Sequence, residues 1–129
     1  MSPTTLELLD TFFLAFHTLL ILFNSLGWII RRLRWYNLVT LLLTGFSWFV
    51  MGIWYGWGYC FCTDWHWQVR RALGDTDLPI SYITFLIQHW TGFQPDPYLV
   101  DIATGTVFGL ALICSSILNY RDFKKSHST

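Results

Sequence analysis

Residues 35–63 read WYNLVTLLLTGFSWFVMGIWYGWGYCFCT, and none of them carries a charge. A helix crosses the hydrocarbon core of a bilayer in roughly 20 residues, so this run is long enough to span. Two further charge-free runs, 11–30 and 102–120, are shorter but also long enough to span. The composition agrees: 53% of residues are hydrophobic and 12% charged, about half the charged share of an average soluble domain. These observations predict an all-α integral membrane protein with three transmembrane helices, at about 5–30, 36–58 and 98–119. The loop 59–97 is expected on the outer face with two short interfacial helices, and the whole of 1–129 is expected to form a single membrane domain. No Arg or Lys precedes the first run and no small-residue cleavage site follows it, so the first span is expected to stay in place.

Lys and Arg near span ends are retained on the cytoplasmic side. Arg31, Arg32 and Arg34 lie between the first two spans, and Arg121, Lys124 and Lys125 follow the third. Only Arg70 and Arg71 fall in the opposite loop, together with Asp64, Asp75 and Asp77. The expected topology places the N-terminus outside and the C-terminus in the cytoplasm, which in a bacterium means the inner membrane with the loop 59–97 on its periplasmic side. A formal net charge of zero argues against nucleic acid as a partner. The expected partners are the lipid bilayer and other membrane proteins or a second copy of the chain.

Within the first span Asp10, His17 and Asn24 are spaced by seven, which keeps them near one helical face. Polar groups are costly in hydrocarbon, so this stripe is expected to face other helices. At the outer end of the second span Trp54, Tyr55, Trp57 and Tyr59 form an aromatic girdle suited to the interface. Thr63 is expected to cap a short helix over 64–73, with Asp64 at its first turn, Arg70 and Arg71 near its last, and Gly74 ending it. Trp67 and Arg71, four apart, are expected to stack. A second short helix is expected over 80–90. In the third span, Gly105 and Gly109 would let a neighbouring helix approach closely.

The loop and span ends gather Cys60, Cys62, Asp64, His66 and His89 on one side of the membrane. Thiolate, imidazole and carboxylate are metal ligands, and Cys62 and His66 are one helical turn apart. Neither a CxxC nor an HxxxH pair reinforces that reading. A Cys60–Cys62 disulfide would close a short, strained and easily reduced ring, redox-active rather than structural. Haem could use His17 with His89. The fourth reading is plain packing, with both thiols as small buried hydrophobes and His66 as an exposed interfacial residue. Thr63 and Arg70 are expected to organise the cluster, with Arg70 reaching a carboxylate such as Asp101 or Asp77.

An early His17 followed by Phe23 and Gly27, then Cys60-Phe61-Cys62-Thr63 closing a Trp- and Gly-rich span, then Val69-Arg70 and Leu73-Gly74, resembles the small bacterial membrane proteins of domain-of-unknown-function family 2784. That family carries Cys-Pro-Leu-Thr at the first of these sites, so Phe61 and Cys62 are departures, and His66 stands where a Glu is usual. A later aromatic, Ile, His, aromatic pattern resembles Leu86, Ile87, His89 and Trp90. The resemblance implies the membrane architecture, points to Cys60, Thr63 and Arg70, and implies no activity.

Two function classes follow. The first is a non-catalytic subunit or assembly protein, since three spans enclose only a narrow cleft. The second is a site protein, enzyme or sensor, using the outer-face Cys/His/Asp cluster through a metal, haem or thiol. The paired Gly/Pro-broken spans of a transporter are absent from the sequence.

Overall fold

The computed structural model describes residues 2–56 and 58–127. Helix α1 runs Pro3–Leu26 and is followed by two single 3₁₀ turns, Gly27–Ile29 and Arg31–Leu33. Helix α2, Arg34–Gly45, continues through a π-helical turn, Phe46–Met51, into α3, Gly52–Tyr55. Helices α4, Phe61–Ala72, and α5, Tyr82–Thr91, are shorter, and α6 runs Pro97–His127. The described residues contain no strand. Three helical stretches, Pro3–Ile29, Arg31–Tyr55 and Pro97–Ser126, are long and apolar enough to cross a membrane. Their exposed Leu8, Phe12, Leu19, Leu42, Phe49, Leu110 and Ile113 suit contact with lipid.

Local chemistry sets the helix starts. Ser2 Oγ accepts the Thr5 N–H at 3.2 Å, and Pro3 occupies the first turn of α1, where its missing donor costs nothing. Asp96 Oδ1 accepts the Tyr98 N–H at 2.9 Å at the head of α6. Ser81 Oγ accepts from Thr84 N at 3.4 Å and starts α5.

The chain divides into two compact units. One comprises Thr18–Tyr59 and Thr106–Thr129. Its buried polar side chains join the helices. Asn37, with no exposed surface, donates through Nδ2 to Phe23 O at 2.6 Å and to Asn24 O at 3.3 Å, satisfying carbonyls at the frayed end of α1. Asn24 Nδ2 donates to Thr44 Oγ1 at 2.9 Å. Gly27 is needed beneath Asn37, because a Cβ there would sit 2.9 Å from Asn37 Nδ2 and 3.0 Å from the Phe23 ring. Arg34 Nη1 donates to both Asp122 oxygens, at 2.9 and 3.2 Å, and Asn119 Nδ2 donates to Arg34 O at 3.0 Å. At the π turn, Ser47 Oγ donates to Tyr59 O at 2.8 Å.

The other unit comprises Met1–His17 and Cys60–Gly105, and it holds α4, α5 and the first parts of α1 and α6. Its apolar core is Trp67, Val69, Tyr82, Phe85 and Leu86. Trp67 stacks on Tyr82 with ring centroids 5.2 Å apart and meets Phe85 edge-on at 4.9 Å, and its Nε1 donates to Pro79 O at 3.1 Å.

Several expectations are corrected. The helix of the loop begins at Phe61, so Thr63 lies inside it; Cys60 is the preceding residue and caps with its carbonyl, which accepts from Asp64 N, not with a side chain. Trp67 is buried against Tyr82 and Phe85, which takes it away from the stacking expected with the exposed Arg71. The cation–π contact is instead Arg70 over Phe85, 5.0 Å from the centroid. A Cβ at Gly105 or Gly109 would meet nothing within 4 Å, so neither admits a close neighbour within the chain. Trp57, counted in the aromatic girdle, lies outside the described residues.

Candidate functional site

The unit of Met1–His17 and Cys60–Gly105 brings together side chains from α1, α4, α5 and the turn after α4. Helical spacing explains the first step: Cys62, His66 and Arg70 follow one another at four-residue intervals along α4, and Asp10 and His17 are two turns apart on α1.

His66 is the centre. It has no exposed surface, which overturns the expectation of an exposed interfacial residue, and both ring nitrogens are engaged. Nε2 lies 2.6 Å from Asp10 Oδ1 and Nδ1 lies 2.9 Å from Tyr82 Oη. A carboxylate only accepts, so Nε2 carries the hydrogen, and Nδ1 accepts from the Tyr82 hydroxyl. Burial pushes His66 below the usual histidine range, against the pull of Asp10, which keeps the ring neutral at pH 7. Burial also pushes the Tyr82 hydroxyl up, with the Asp10 charge adding to it, so the phenol stays protonated and remains a donor.

Arg70 joins two carboxylates. Its Nη1 donates to Asp10 Oδ1 at 3.2 Å and Oδ2 at 3.4 Å, while Nη2 and Nε hold Asp75 Oδ2 at 2.8 and 3.0 Å. Burial opposes its charge, but Asp75 and Asp10 outweigh this and raise it above the usual arginine value, and Arg70 in turn holds Asp75 below the usual carboxylate range. The Asp75 carboxylate is delivered by the end of α4. Gly74 has φ +99°, its N–H donates to Arg71 O at 3.0 Å and the Asp75 N–H donates to Arg70 O at 3.0 Å, the two bonds of a Schellman motif. This turn folds Asp75 back onto the Arg70 side chain. The partners expected for Arg70, Asp101 and Asp77, are not the ones it takes: Asp101 is exposed on α6, and Asp77 donates its N–H to Asp75 Oδ1 at 3.3 Å.

The thiols lie beside this network. His17 Nε2 is 3.9 Å from Cys60 Sγ, and the His17 ring stacks on Tyr82 with centroids 3.8 Å apart. His17 is 5% exposed, and its Nδ1 has no hydrogen-bond partner, an orphan that a bound polar group would satisfy. All three cysteines are free; Cys60 is half-buried and Cys62 buried. The Cys60 thiol is drawn down to about 3, first by a hydrogen bond from Cys62 and also by His17 and the Thr63 hydroxyl, with burial opposing. Cys62 is pushed far up, because it is the donor to a negative sulfur and is buried. The arrangement favours the charged form at the half-buried Cys60 and the protonated form at the buried Cys62.

Of the residues singled out in the sequence, the structure joins Asp10, His17, Cys60, Cys62, His66 and Arg70 within this unit. Thr63 serves through its hydroxyl at Cys60. Asn24 lies in the other unit, bonded to Thr44. His89 is exposed, stacked on Phe85 and edge-on to Trp90, whereas His17 faces Cys60 and Tyr82, so the two are not brought together for haem. Among the described residues, no group of three or more His, Cys, Asp and Glu is placed to hold a metal ion. Tyr82 and Asp75 were missed. Tyr82 had no local signal beyond the Ser81 cap that starts its helix, while Gly74 followed by an acid was a readable sign that Asp75 could turn back.

A family model described as Protein of Unknown function (DUF2784) matches residues 7–121, a stretch that includes every side chain of this site. No curated protein and no solved structure matches the chain.

Proposed function

The chain belongs to the DUF2784 family, and we propose that it is a multi-pass membrane protein carrying a thiol-based reactive site, with the Cys60 sulfur as its reacting atom. The single observation that supports this most is the pairing of a half-buried Cys60 with His17 at 3.9 Å and with the covered Cys62 thiol. A thiolate is the nucleophilic form of cysteine, and neighbouring donors keep it charged. In this reading Asp10, His66, Arg70, Asp75 and Tyr82 are the frame: they hold the His17 ring through Tyr82 and leave Cys60 free to react. The charge distribution further favours an inner membrane with the N-terminus outside, which puts Cys60 at the outer face.

The test is alkylation of the full-length protein in detergent by iodoacetamide, with each cysteine followed by mass spectrometry between pH 5 and pH 9. Cys60 should be modified at pH 5 while Cys62 stays unmodified, and His17→Asn should slow Cys60 at low pH. A Cys60 rate that follows an ordinary thiol, with a midpoint near about 8.5, overturns the proposal. A second reading, a non-catalytic subunit or assembly partner, is favoured by the complete burial of His66 and the mutual saturation of Asp10, Arg70 and Asp75, which has the character of a lock. The same titration separates the two, because a lock requires no thiolate.

A further inference from the structure

Cys60 and Cys62 stand where the chain passes from extended backbone into α4. Cys60 has φ −125° and ψ 119°, and Phe61 opens the helix. Helical geometry at Phe61 places the two Cα atoms about 5.4 Å apart, inside the window of roughly 4.4–6.8 Å that a disulfide spans. The two thiols are near enough to act on each other, Cys62 lowering Cys60 and Cys60 raising Cys62. Their accessibility differs: Cys60 is half-buried, whereas Cys62 is 4% exposed. In an exchange couple the residue with the greater exposed surface, Cys60, is the attacking thiol and the buried Cys62 the resolving one.

We propose that Cys60 and Cys62 form a thiol–disulfide exchange couple whose substrates are disulfides and dithiols of other polypeptides. This rests on the thiol-based reading above. In the reducing direction the Cys60 thiolate attacks one sulfur of a substrate disulfide; that S–S bond breaks, a Cys60–substrate disulfide forms and one substrate sulfur leaves as thiolate. Cys62 then gives its proton to that leaving thiolate or to solvent, and its sulfur attacks Cys60. The product is a Cys60–Cys62 disulfide and a second substrate thiolate, so the substrate gains the two electrons that the pair loses. In the oxidising direction the steps reverse. The bridge closes a very short ring and the reduced form keeps a stabilised thiolate, and both features favour the reduced pair. The couple therefore oxidises dithiols more readily than it reduces disulfides.

The full-length protein with Cys114→Ser, in detergent, is equilibrated with reduced and oxidised glutathione at graded ratios, quenched with acid, alkylated and weighed intact. As the ratio becomes oxidising, Cys60 and Cys62 should disappear together with a loss of two hydrogens, and half-conversion should need a more oxidising ratio than thioredoxin does. In Cys62→Ser, Cys60 should retain one glutathione, and in Cys60→Ser, Cys62 should remain a free thiol. Should either variant fail to fold, the unsubstituted pair decides alone. Absence of the Cys60–Cys62 bridge at every ratio overturns the couple, whether or not Cys60 takes up glutathione. The low-pH alkylation of Cys60 would still stand in that case, so the two failures are told apart.

Discussion

Asp10 is the residue on which the network turns. It accepts from His66 at 2.6 Å and from Arg70 at 3.2 Å, and hydrogen bonds to charged groups are worth about 1.5–3 kcal/mol each when net of solvation. Asp10→Ala should lower stability by about 2–3 kcal/mol in thermal unfolding in detergent, because it leaves a fully buried imidazole N–H and a guanidinium short of an acceptor. Asp101→Ala, at an exposed position, should change it by less than about 0.5 kcal/mol. The shifts at the thiol and the imidazole give a signed pH dependence. Cys60 titrates near 9.0 when unfolded and about 3 when folded, so the unfolded chain binds more protons throughout that window and stability rises with pH. His66 is likewise depressed below 6.5, so its contribution is present above 6.5 and is lost as the pH falls through the folded value. The melting temperature should therefore climb from pH 5 to pH 8. Cys60→Ser should flatten the limb above 6.5 and make the limb below it shallower, leaving there the His66 share alone, and a melting temperature that rises on acidification would contradict both assignments.

At the scale of the element, the end of α4 matters more than its start. The sequence signals for the stop at Gly74 and for the acid in the first turn and bases in the last are met by the helix Phe61–Ala72. The Thr63 cap is not, since Cys60 already begins the hydrogen bonding through its carbonyl. A Ser or Thr before an amphipathic run marks a plausible cap, but a helix can start earlier wherever its first residues find other support, and the buried Cys62 supplies that here. Gly74→Ala places a Cβ in the left-handed region at a cost of about 1–2 kcal/mol, and it should also loosen the Asp75 hold on Arg70. Gly105→Ala is the contrast: its Cβ would meet nothing within 4 Å in an ordinary helix, so the substitution should be neutral or stabilising by up to about 1 kcal/mol. Thermal unfolding of the two variants side by side checks the pair.

For the whole molecule, the six-to-two split of positive charges predicts that Thr76 is outside and Ser126 inside. Single-cysteine probes at these positions, challenged with an impermeant reagent from the outer side, should label at 76 and not at 126; the reverse pattern would invert the topology. The three spanning helices were legible because a charge-free run of about twenty residues has few other stable fates, and each backbone group in lipid must be bonded within its own helix. That reasoning is local and needs no knowledge of neighbours. The site is different in kind. Asp10 and His66 are 56 positions apart, Asp10 and Arg70 are 60 apart, and His17 and Cys60 are 43 apart. No periodicity or cap distinguishes Asp75 from Asp77 or Asp101 as the partner of Arg70, and nothing before Tyr82 says that its hydroxyl will find His66. The spans, their polar stripe and the candidate thiols were determined by the sequence alone, since hydrocarbon penalises charge residue by residue. Only the tertiary structure decided which acid, base and thiol meet, because those choices depend on how α1, α4 and α5 bury their faces against one another.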